Sequence, residues 1–226
     1  MCVFSCWKKK KRLMNPYCWS TIDNIHHYMD FKKATKQERM AFLEFAIKVV
    51  GMDIEGSYIS QFIYGDIESQ KLLSLFPIDY FTKPVSEIED FPTTGKTVVT
   101  IPYDWSKAYG AILDVQREGF RKEKNYTNGI YIPELDMVIV INGRHHFSAA
   151  TAFHKKTAVS VKVYSLKDVF PELNVSQDGD NWVMGDKTYP IQDPRFAVLY
   201  LMAQELDKLR NREPFSCGDE KTKPCI

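Results

Sequence analysis

Hydrophobic residues in the first part of the chain recur at helical spacing. Thr35 is followed three residues later by Glu38, which is the spacing of a capping box. Apolar side chains then recur three and four positions apart, which predicts a helix that ends at Gly51. The apolar residues of this helix are Met40, Phe42, Leu43, Phe45, Ala46, Ile47, Val49 and Val50.

Two further helical segments flank this helix. One covers residues 22–28 and follows the capping candidates Ser20 and Thr21. The other covers residues 58–76, where isoleucines and leucines again recur at helical spacing. We therefore interpret residues 20–90 as a helical region.

Periodicity is lost between residues 79 and 96, where prolines and acidic residues accumulate, and we place a domain boundary there. After this boundary, short β-branched runs alternate with helical segments, which predicts a mixed α/β (α+β) fold. The predicted strands are 97–101, 129–132, 137–141 and 158–164, and the predicted helices are 106–119 and 147–153. The segment 137–164 is thus expected to form a β-α-β unit.

A hairpin and a last helix are predicted to close this domain. Gly185 and Asp186 lie between two short strand-like runs, which is typical of a hairpin turn. Asp193 is expected to cap the helix, with Pro194 in its first turn. The chain is accordingly divided into a basic, cysteine-containing tail (1–19), the helical region (20–90), an α/β domain (91–212) and a C-terminal tail (213–226).

The composition is that of an ordinary globular protein. The chain has 226 residues, of which 44% are hydrophobic and 26% are charged. These values exclude disordered, collagen-like and coiled-coil proteins. No apolar run approaches the roughly 18 residues that a membrane-spanning helix needs. The formal charge of +1 at pH 7 argues against a strongly basic nucleic-acid-binding protein.

The cysteines and a cluster of cations lie in the tails. The cysteines are Cys2, Cys6, Cys18, Cys217 and Cys225. Their odd number and the absence of a Cys-x-x-Cys spacing favour a cytoplasmic location. Residues 8–12 are all Lys or Arg and follow the apolar side chains of Val3, Phe4 and Trp7. Two hypotheses stay open for this tail: peripheral contact with an anionic inner membrane, or a solvated tail that binds nucleic acid weakly and without sequence specificity.

A cluster of polar residues, Asn-Gly-Arg-His-His, follows a buried strand. Gly143 permits a sharp bend, and the first N–H groups of the helix that follows favour an anionic oxygen. Arg144 supplies a planar pair of donors that matches phosphate, and a histidine can donate a hydrogen bond. We therefore predict a phosphate-binding turn, with Lys107 as a further phosphate ligand. The residues of the turn are Asn142, Gly143, Arg144, His145 and His146.

Residues 138–150 have the sequence Val-Ile-Val-Ile-Asn-Gly-Arg-His-His-Phe-Ser-Ala-Ala. This segment resembles the signature of the ParB/sulfiredoxin superfamily. In that signature a strand runs into Gly-x-His/Arg-Arg-x-x-Ala. The turn sequence Asn-Gly-Arg-His-His-Phe is most similar to the corresponding sequences of the plasmid fertility-inhibition factors and of a related bacterial family of unknown function. The resemblance covers residues 97–165 and implies a small α/β fold that binds nucleotide phosphates, here ATP or CTP with Mg²⁺. The resemblance to the fertility-inhibition group further implies ATPase or nuclease activity for this chain.

Two positions depart from the family pattern, whereas Gly143, His145 and Ala149 match it. Arg144 stands in place of the sulfiredoxin nucleophilic cysteine, which excludes that reaction. His146 stands where most members have an arginine that grips the triphosphate, so strong CTP hydrolysis is not expected. No helix-turn-helix pattern follows, which argues against DNA binding of the partition-protein type.

Four side chains are assigned roles if a reaction occurs at this turn. Arg144 would stabilise phosphate charge, and His145 would act as acid, base or donor. The acids Asp104 and Asp136 would orient water or hold Mg²⁺, with Asp104 assigned to catalysis and Asp136 to the metal. A capping or surface role is the alternative for each acid.

Two main hypotheses for the function follow. The first is a cytoplasmic nucleotide-binding protein from a mobile element, with weak ATPase or nuclease activity. The alternative is a protein-interaction inhibitor or regulator of fertility-inhibition type, which uses the same fold without catalysis. A third hypothesis is weak binding of nucleic acid through residues 8–12 and the lysines near position 33.

Overall fold

The structure of the protein is a computed structural model that describes residues 16–64, 83–102, 104–121 and 127–211. Its helices are α1 (Pro16–Phe31), α2 (Lys36–Tyr64), α3 (Trp105–Glu118), α4 (Arg144–Ala152) and α5 (Pro194–Asn211). Its strands are β1 (Ser86–Pro92), β2 (Thr97–Val99), β3 (Asn128–Ile132), β4 (Met137–Val140), β5 (Ala158–Val163), β6 (Leu173–Val175), β7 (Asn181–Met184) and β8 (Lys187–Pro190). The mixed α+β class and the closing C-terminal helix are as predicted.

Five strands form the main sheet in the order β1-β5-β3-β4-β2, and β6, β7 and β8 form a second sheet. Strand β3 runs antiparallel to β4 and parallel to β5. Strands β4 and β5 therefore run antiparallel to each other, with β3 between them. The predicted order of strand, helix and strand over 137–164 is present, but β4-α4-β5 is not a parallel crossover.

The parallel pair of β2 and β4 determines where the candidate site lies. Thr97 is paired with Met137, and Val99 is paired with Ile139. Both strands consequently end at the same edge of the sheet. After short connections, β2 leads into α3 and β4 leads into α4. The N-termini of these two helices therefore meet at that edge.

The N-terminal helices share one hydrophobic core with the α/β part of the chain. Leu43 and Ile54 of α2 belong to the same buried cluster as Val99, Trp182 and Phe196. The boundary predicted near residue 90 thus lies between elements that pack together. Burial of this shared apolar surface is the main force that holds α1 and α2 in place.

Strand β1 lies in the part of the sequence that lacks hydrophobic periodicity. The prediction that residues 20–90 are helical is therefore wrong for residues 86–90. Strand β1 pairs antiparallel with β5, Ser86 opposite Val163. Six of its seven residues are exposed, and the pairing is irregular between Ile88 and Phe91. A strand that buries neither face has no alternating pattern for sequence analysis to detect.

The capping box at the start of α2 is confirmed. The Thr35 N–H donates to Glu38 Oε2 at 2.7 Å, and the Glu38 N–H donates to Thr35 Oγ1 at 3.3 Å. These reciprocal bonds satisfy two donors that the first helical turn leaves without an intrahelical partner. The helix consequently begins at Lys36, directly after Thr35.

The predicted end of this helix at Gly51 is wrong, because α2 continues without interruption to Tyr64. A Cβ atom at Gly51 would lie 2.6 Å from Thr97 Oγ1. The glycine therefore allows α2 to approach strand β2 closely, and it does not terminate the helix. Residues 58–64 of the predicted third helix belong to α2, while residues 65–76 lie outside the described part of the chain.

The predicted N-terminal tail overlaps α1, which already begins at Pro16. The cationic residues 8–12 and four of the five cysteines lie outside the described residues. Membrane and nucleic-acid contacts of this tail, and the cytoplasmic location, stay predictions. None of the helices described is both long and apolar enough to span a membrane.

The predicted hairpin and last helix are confirmed. Strands β7 and β8 pair antiparallel on either side of Gly185. Asp193 Oδ1 accepts the Arg195 N–H at 3.0 Å, and α5 begins at Pro194. The predicted apolar stripe of α5 packs in the core: Leu199, Met202 and Leu206 are buried, and Leu209 is partly buried against them.

Candidate functional site

The chain bends sharply at Gly143, between β4 and α4. Gly143 adopts a left-handed conformation with φ 78° and ψ 14°, which other residues rarely adopt. A Cβ atom at this position would also lie 2.7 Å from Thr127 Cγ2. Just before it, the N–H groups of Ile141 and Asn142 both donate to Asn128 O, at 2.9 and 3.2 Å. Backbone conformation and close packing therefore both require glycine at position 143.

Helix α4 begins at Arg144, three residues earlier than predicted, so Arg144, His145 and His146 form its first turn. Gly143 occupies the capping position and has no side chain with which to cap the helix. The first N–H groups of a helix have no acceptor within the helix and carry its positive dipole end. This turn thus has the local features of an anion-binding site.

His145 connects this turn to the start of α3. Its side chain is 8% exposed, and its Nε2 accepts the Asp104 N–H at 3.2 Å. Because Nε2 is an acceptor here, the hydrogen-bond pattern assigns the proton of the neutral ring to Nδ1. Burial lowers the pKa of His145 below its ordinary value of 6.5, although the charge of Asp104 opposes this effect. A neutral imidazole therefore links α3 and α4 at pH 7.

Asp104 acts as the N-cap of α3. Its Oδ1 accepts hydrogen bonds from the Ser106 N–H at 3.0 Å, the Ser106 hydroxyl at 2.8 Å and the Lys107 N–H at 3.2 Å. The bond from the Ser106 side chain is the largest of the effects that hold the pKa of Asp104 below its ordinary value. This carboxylate is thus engaged in capping a helix, which was the alternative to the predicted catalytic role.

Thr100 and Ser148 hold the first turn of α4 in place. The Thr100 hydroxyl donates to Arg144 O at 2.9 Å, and the Ser148 hydroxyl donates to the same oxygen at 2.8 Å. Both residues are buried, and Thr100 directly follows β2. Sequence analysis did not identify either residue. The sequence nevertheless contains a local signal for each residue. Thr100 directly follows a β-branched run, and Ser148 lies four residues after Arg144.

We call the surface formed by residues 104–107 and 143–146 the two-helix edge. Lys107 lies on it, with Nζ 3.8 Å from Asp104 Oδ2 and a largely exposed side chain. His146 Nε2 lies 3.8 Å from Oδ2 of Asp114, which belongs to α3. The structure thus brings together Asp104, Lys107 and the predicted turn residues, as the phosphate hypothesis requires.

Asp136, the predicted metal ligand, does not lie at the two-helix edge. It precedes β4, at the opposite end of that strand from Gly143. Its carboxylate Oδ1 lies 2.6 Å from Lys96 Nζ and accepts the Tyr131 hydroxyl at 3.1 Å. These contacts stabilise a left-handed residue with φ 48°. Among the described residues, no group of three or more His, Cys, Asp or Glu side chains is arranged to hold a metal ion.

One buried polar group beside Gly143 lacks a hydrogen bond. The Thr127 side chain is directed at the bend, since its Cγ2 is the atom that a Cβ at Gly143 would meet. Thr127 is 5% exposed, and its hydroxyl has no hydrogen-bond partner among the described residues. An unsatisfied buried hydroxyl costs free energy, so Thr127 is an uncompensated polar group directly beside the turn.

Fold and site define an α+β protein in which two helix N-termini meet at one edge of a mixed sheet. The chain belongs to the family of unknown function DUF6710, which it matches over residues 8–213. No curated protein and no solved structure matches the chain. This family has no assigned activity, and the two-helix edge is the candidate functional site.

Proposed function

We propose that this protein binds the phosphate groups of a nucleotide, ATP or CTP, at the two-helix edge. The observation that carries the proposal is the His145–Asp104 hydrogen bond, which holds the N-termini of α3 and α4 together. Each helix N-terminus is equivalent to roughly half a positive charge. The N-terminus of α4 has no capping side chain, whereas Asp104 caps that of α3, so the proposed site is centred on the first turn of α4 and α3 contributes Lys107. The resemblance of residues 138–150 to a nucleotide-binding signature points to the same turn.

The charged side chains around the edge favour an anion. Arg144 and Lys107 border it and supply cationic donors of the type that binds phosphate. The nearest acid, Asp104, already accepts three hydrogen bonds from the start of α3. These bonds and Lys107 Nζ, which lies 3.8 Å from Asp104 Oδ2, offset part of the negative charge of this acid. A phosphate oxygen would therefore meet attraction from two cations and from the uncapped N-terminus of α4.

Binding without efficient hydrolysis is the activity that we propose. Hydrolysis needs a general base within hydrogen-bond distance of the attacking water. Nε2 of His145 accepts the Asp104 N–H, and the lowered pKa of Asp104, which caps α3, makes its carboxylate a weak base, so neither side chain is suited to that role. Mg²⁺ would enter with the nucleotide, because Asp136 lies at the other end of β4.

Thermal-shift measurements with ATP, CTP and inorganic tripolyphosphate, each with and without Mg²⁺, test the proposal. At a ligand concentration of 100 times Kd, binding to the folded state stabilises it by about 2.7 kcal/mol. We expect stabilisation by the nucleotides and by tripolyphosphate, and we expect it to weaken as salt concentration rises. If none of the three ligands raises the melting temperature at any Mg²⁺ concentration, the proposal is wrong.

The alternative function, a protein-interaction inhibitor or regulator, is favoured by one observation on α2. Phe45, Val49 and Met52 are 64%, 46% and 61% exposed. Their spacing of four and three residues places them on one face of the helix. Contiguous exposed apolar side chains of this size are typical of a protein-binding surface. Under this hypothesis, Phe45→Ser combined with Met52→Ser abolishes binding of a partner protein, and Arg144→Ala leaves that binding unchanged.

A further inference from the structure

Helix α2 carries apolar side chains on two opposite faces. One face packs in the core, where Leu43 and Ile54 are fully buried. The other face lies about half a helical turn away and carries Phe45, Val49 and Met52. These three side chains are 64%, 46% and 61% exposed. The described part of the chain therefore leaves a second apolar face of α2 in contact with solvent.

The exposed apolar face continues beyond these three residues. Phe42 precedes Phe45 by one turn and is partly buried. Its ring stacks on that of Tyr28 in α1, with centroids 5.4 Å apart, and Tyr28 is 51% exposed. A contiguous apolar patch of this kind marks an interaction surface on a globular protein. We call its four residues on α2 the α2 seam: Phe42, Phe45, Val49 and Met52.

The spacing of the α2 seam is the same in both directions along the helix. Its members follow one another at intervals of three, four and three residues, as in helices that pack along a seam. A second α2 that runs antiparallel therefore presents matching positions. Phe45 meets Val49 of the second copy, and Phe42 meets Met52 of the second copy. Each contact occurs twice about a twofold axis, which is the arrangement of an isologous dimer.

The contacts formed in this way are complementary in size. Each of the layers pairs an aromatic ring with a smaller or more flexible aliphatic side chain, so two phenylalanines never meet in one layer. Such layers interdigitate in the manner of knobs and holes. The α2 seam is thus complementary to itself in spacing and in shape.

Charged side chains beside the seam are already bound by the chain itself. Lys48 Nζ donates to Gly95 O at 2.5 Å. Glu55 Oε2 accepts the Val98 N–H at 3.0 Å. Apolar contact, and not ion pairing, therefore decides what the α2 seam binds.

We propose that the α2 seam binds the α2 seam of a second copy of this chain in antiparallel orientation. A second copy is a partner whose complementary surface the structure itself supplies. The exposed parts of Tyr28, Phe45, Val49 and Met52 amount to on the order of 400 Å² per copy, about half of the roughly 800 Å² of a standard interface. The dimer is accordingly weak, with a Kd of about 10–100 μM.

This inference does not depend on nucleotide binding. It assigns to a second copy the face that the alternative function would give to a different protein. Sedimentation equilibrium of the full chain under reducing conditions tests it, since reduction removes any disulfide between copies. We expect a reversible equilibrium of monomer and dimer between about 1 μM and 1 mM protein. A chain that stays monomeric throughout this range would overturn the proposal and leave the face to a different protein.

The substitutions Phe45→Lys and Val49→Glu test the antiparallel register. Each places a charge in two layers of the seam, so we expect each variant alone to dimerise at least about tenfold more weakly than the wild type. In an equimolar mixture, the lysine at position 45 of one copy meets the glutamate at position 49 of the other. The native Phe45 and Val49 that remain form the second central layer. We therefore expect the mixture to form a dimer that neither variant forms alone.

Tyr109→Lys is the matched control, because Tyr109 is 63% exposed but lies on α3. We expect this variant to dimerise as the wild type does. The substituted positions are exposed, so the melting temperatures of all variants should stay close to that of the wild type at concentrations where every protein is monomeric. Dimerisation that Phe45→Lys and Val49→Glu leave unchanged would overturn the proposal, because the contact would lie elsewhere. A mixture that dimerises no better than its components would contradict the antiparallel pairing.

Discussion

His145 Nε2 accepts the backbone N–H of Asp104 at 3.2 Å and so joins the first turns of α4 and α3. The two residues are 41 positions apart in the sequence. In this contact the His145 imidazole is a hydrogen-bond acceptor and Asp104 contributes its backbone N–H, while the acid-base roles of the two side chains stay predictions. Their hydrogen bond fixes the relative position of two helix N-termini, on which the proposed anion site depends.

Replacing His145 by Phe is expected to destabilise the protein and weaken nucleotide binding together. The Asp104 N–H then loses its acceptor in a part-buried position, which costs about 1–3 kcal/mol. His145→Gln keeps an amide oxygen as a potential acceptor and is expected to lose less. Urea denaturation of the two variants measures the difference. Equal stabilities of the two variants would argue that this hydrogen bond contributes nothing.

Gly143→Ala is expected to destabilise the protein by about 2 kcal/mol or more, because left-handed backbone strain adds to a steric clash. The clash partner is Thr127 Cγ2, which lies 2.7 Å from the Cβ position. Thr127→Ser removes that methyl group, so the double variant should recover part of the loss. The control is Gly95→Ala, since Gly95 has a φ of 80° but no described atom near its Cβ position.

Thermal denaturation of these variants separates strain from clash. Gly95→Ala should cost only the backbone term of about 1–2 kcal/mol. If Thr127→Ser restores nothing to Gly143→Ala, the close approach of the two residues is not what requires glycine at the bend.

The His26–Glu205 ion pair is expected to make the docking of α1 pH-dependent. His26 Nε2 lies 3.0 Å from Glu205 Oε2, and this hydrogen bond raises the pKa of His26 above its ordinary value of 6.5. Burial and Arg39 oppose the shift, and the charge of Asp30 supports it. A raised pKa gives stability that is fully present below pH 6.5 and is lost as the pH rises through the folded-state value.

Denaturation of the wild type and of His26→Gln on both sides of pH 6.5 measures this effect. We expect the wild type to exceed the variant in free energy of unfolding at low pH, with the difference shrinking as pH rises. A difference that is constant or grows with pH would contradict the assignment. His145 has a lowered pKa, which makes its own contribution to stability change with pH in the opposite direction. Because the wild type and His26→Gln both contain His145, this contribution cancels in the difference between them.

Arg195 is expected to be the most important single ion-pairing residue for attaching α2 to α5. Its guanidinium contacts Asp193 Oδ2 at 2.6 Å and Asp53 Oδ2 at 2.8 Å. Burial alone would lower the pKa of Arg195, but the bonds to Asp193 and Asp53 raise it above its ordinary value. Arg195→Leu leaves the buried Asp193 carboxylate without its cationic partner, although the Tyr58 hydroxyl still donates to its Oδ2, and we expect a cost of about 3 kcal/mol.

Arg210→Leu is the control for this prediction. Arg210 pairs with Glu44 at 2.7 Å, but both side chains are about half exposed, at 44% and 52%. Exposed pairs of this kind contribute roughly 0–1 kcal/mol. Chemical denaturation should therefore distinguish the two substitutions clearly. Similar losses for both would mean that the buried position of the Arg195 pair is irrelevant.

Elements with one buried face could be predicted from the sequence. The alternating strand β5, the capping box at Thr35 and the start of α5 at Asp193 all follow from local patterns, and the structure confirms them. The two largest errors have a common cause. Gly51 and strand β1 owe their conformation to distant parts of the chain, Thr97 and β5 respectively, and no local pattern carries that information.

The candidate site could be predicted in part. The bend at Gly143 was detectable, because its glycine and the following helix are local features. The assignment of Asp136 to the same site was not supported by its position, since the direction of β4 puts it at the far end. The contribution of α3 depends on the parallel pairing of β2 with β4, which only the tertiary structure establishes.

The central claim, that nucleotide phosphates bind at the two-helix edge, is tested most directly by titrating Arg144→Ala with ATP and CTP. Arg117→Ala, in the last turn of α3, removes the same charge far from the edge, and Asp136→Asn alters the acid at the far end of β4. We predict that Arg144→Ala weakens binding by about tenfold to a hundredfold, the value of one charged hydrogen bond, while both controls bind as the wild type does. Equal affinities of Arg144→Ala and Arg117→Ala for either nucleotide would contradict the account.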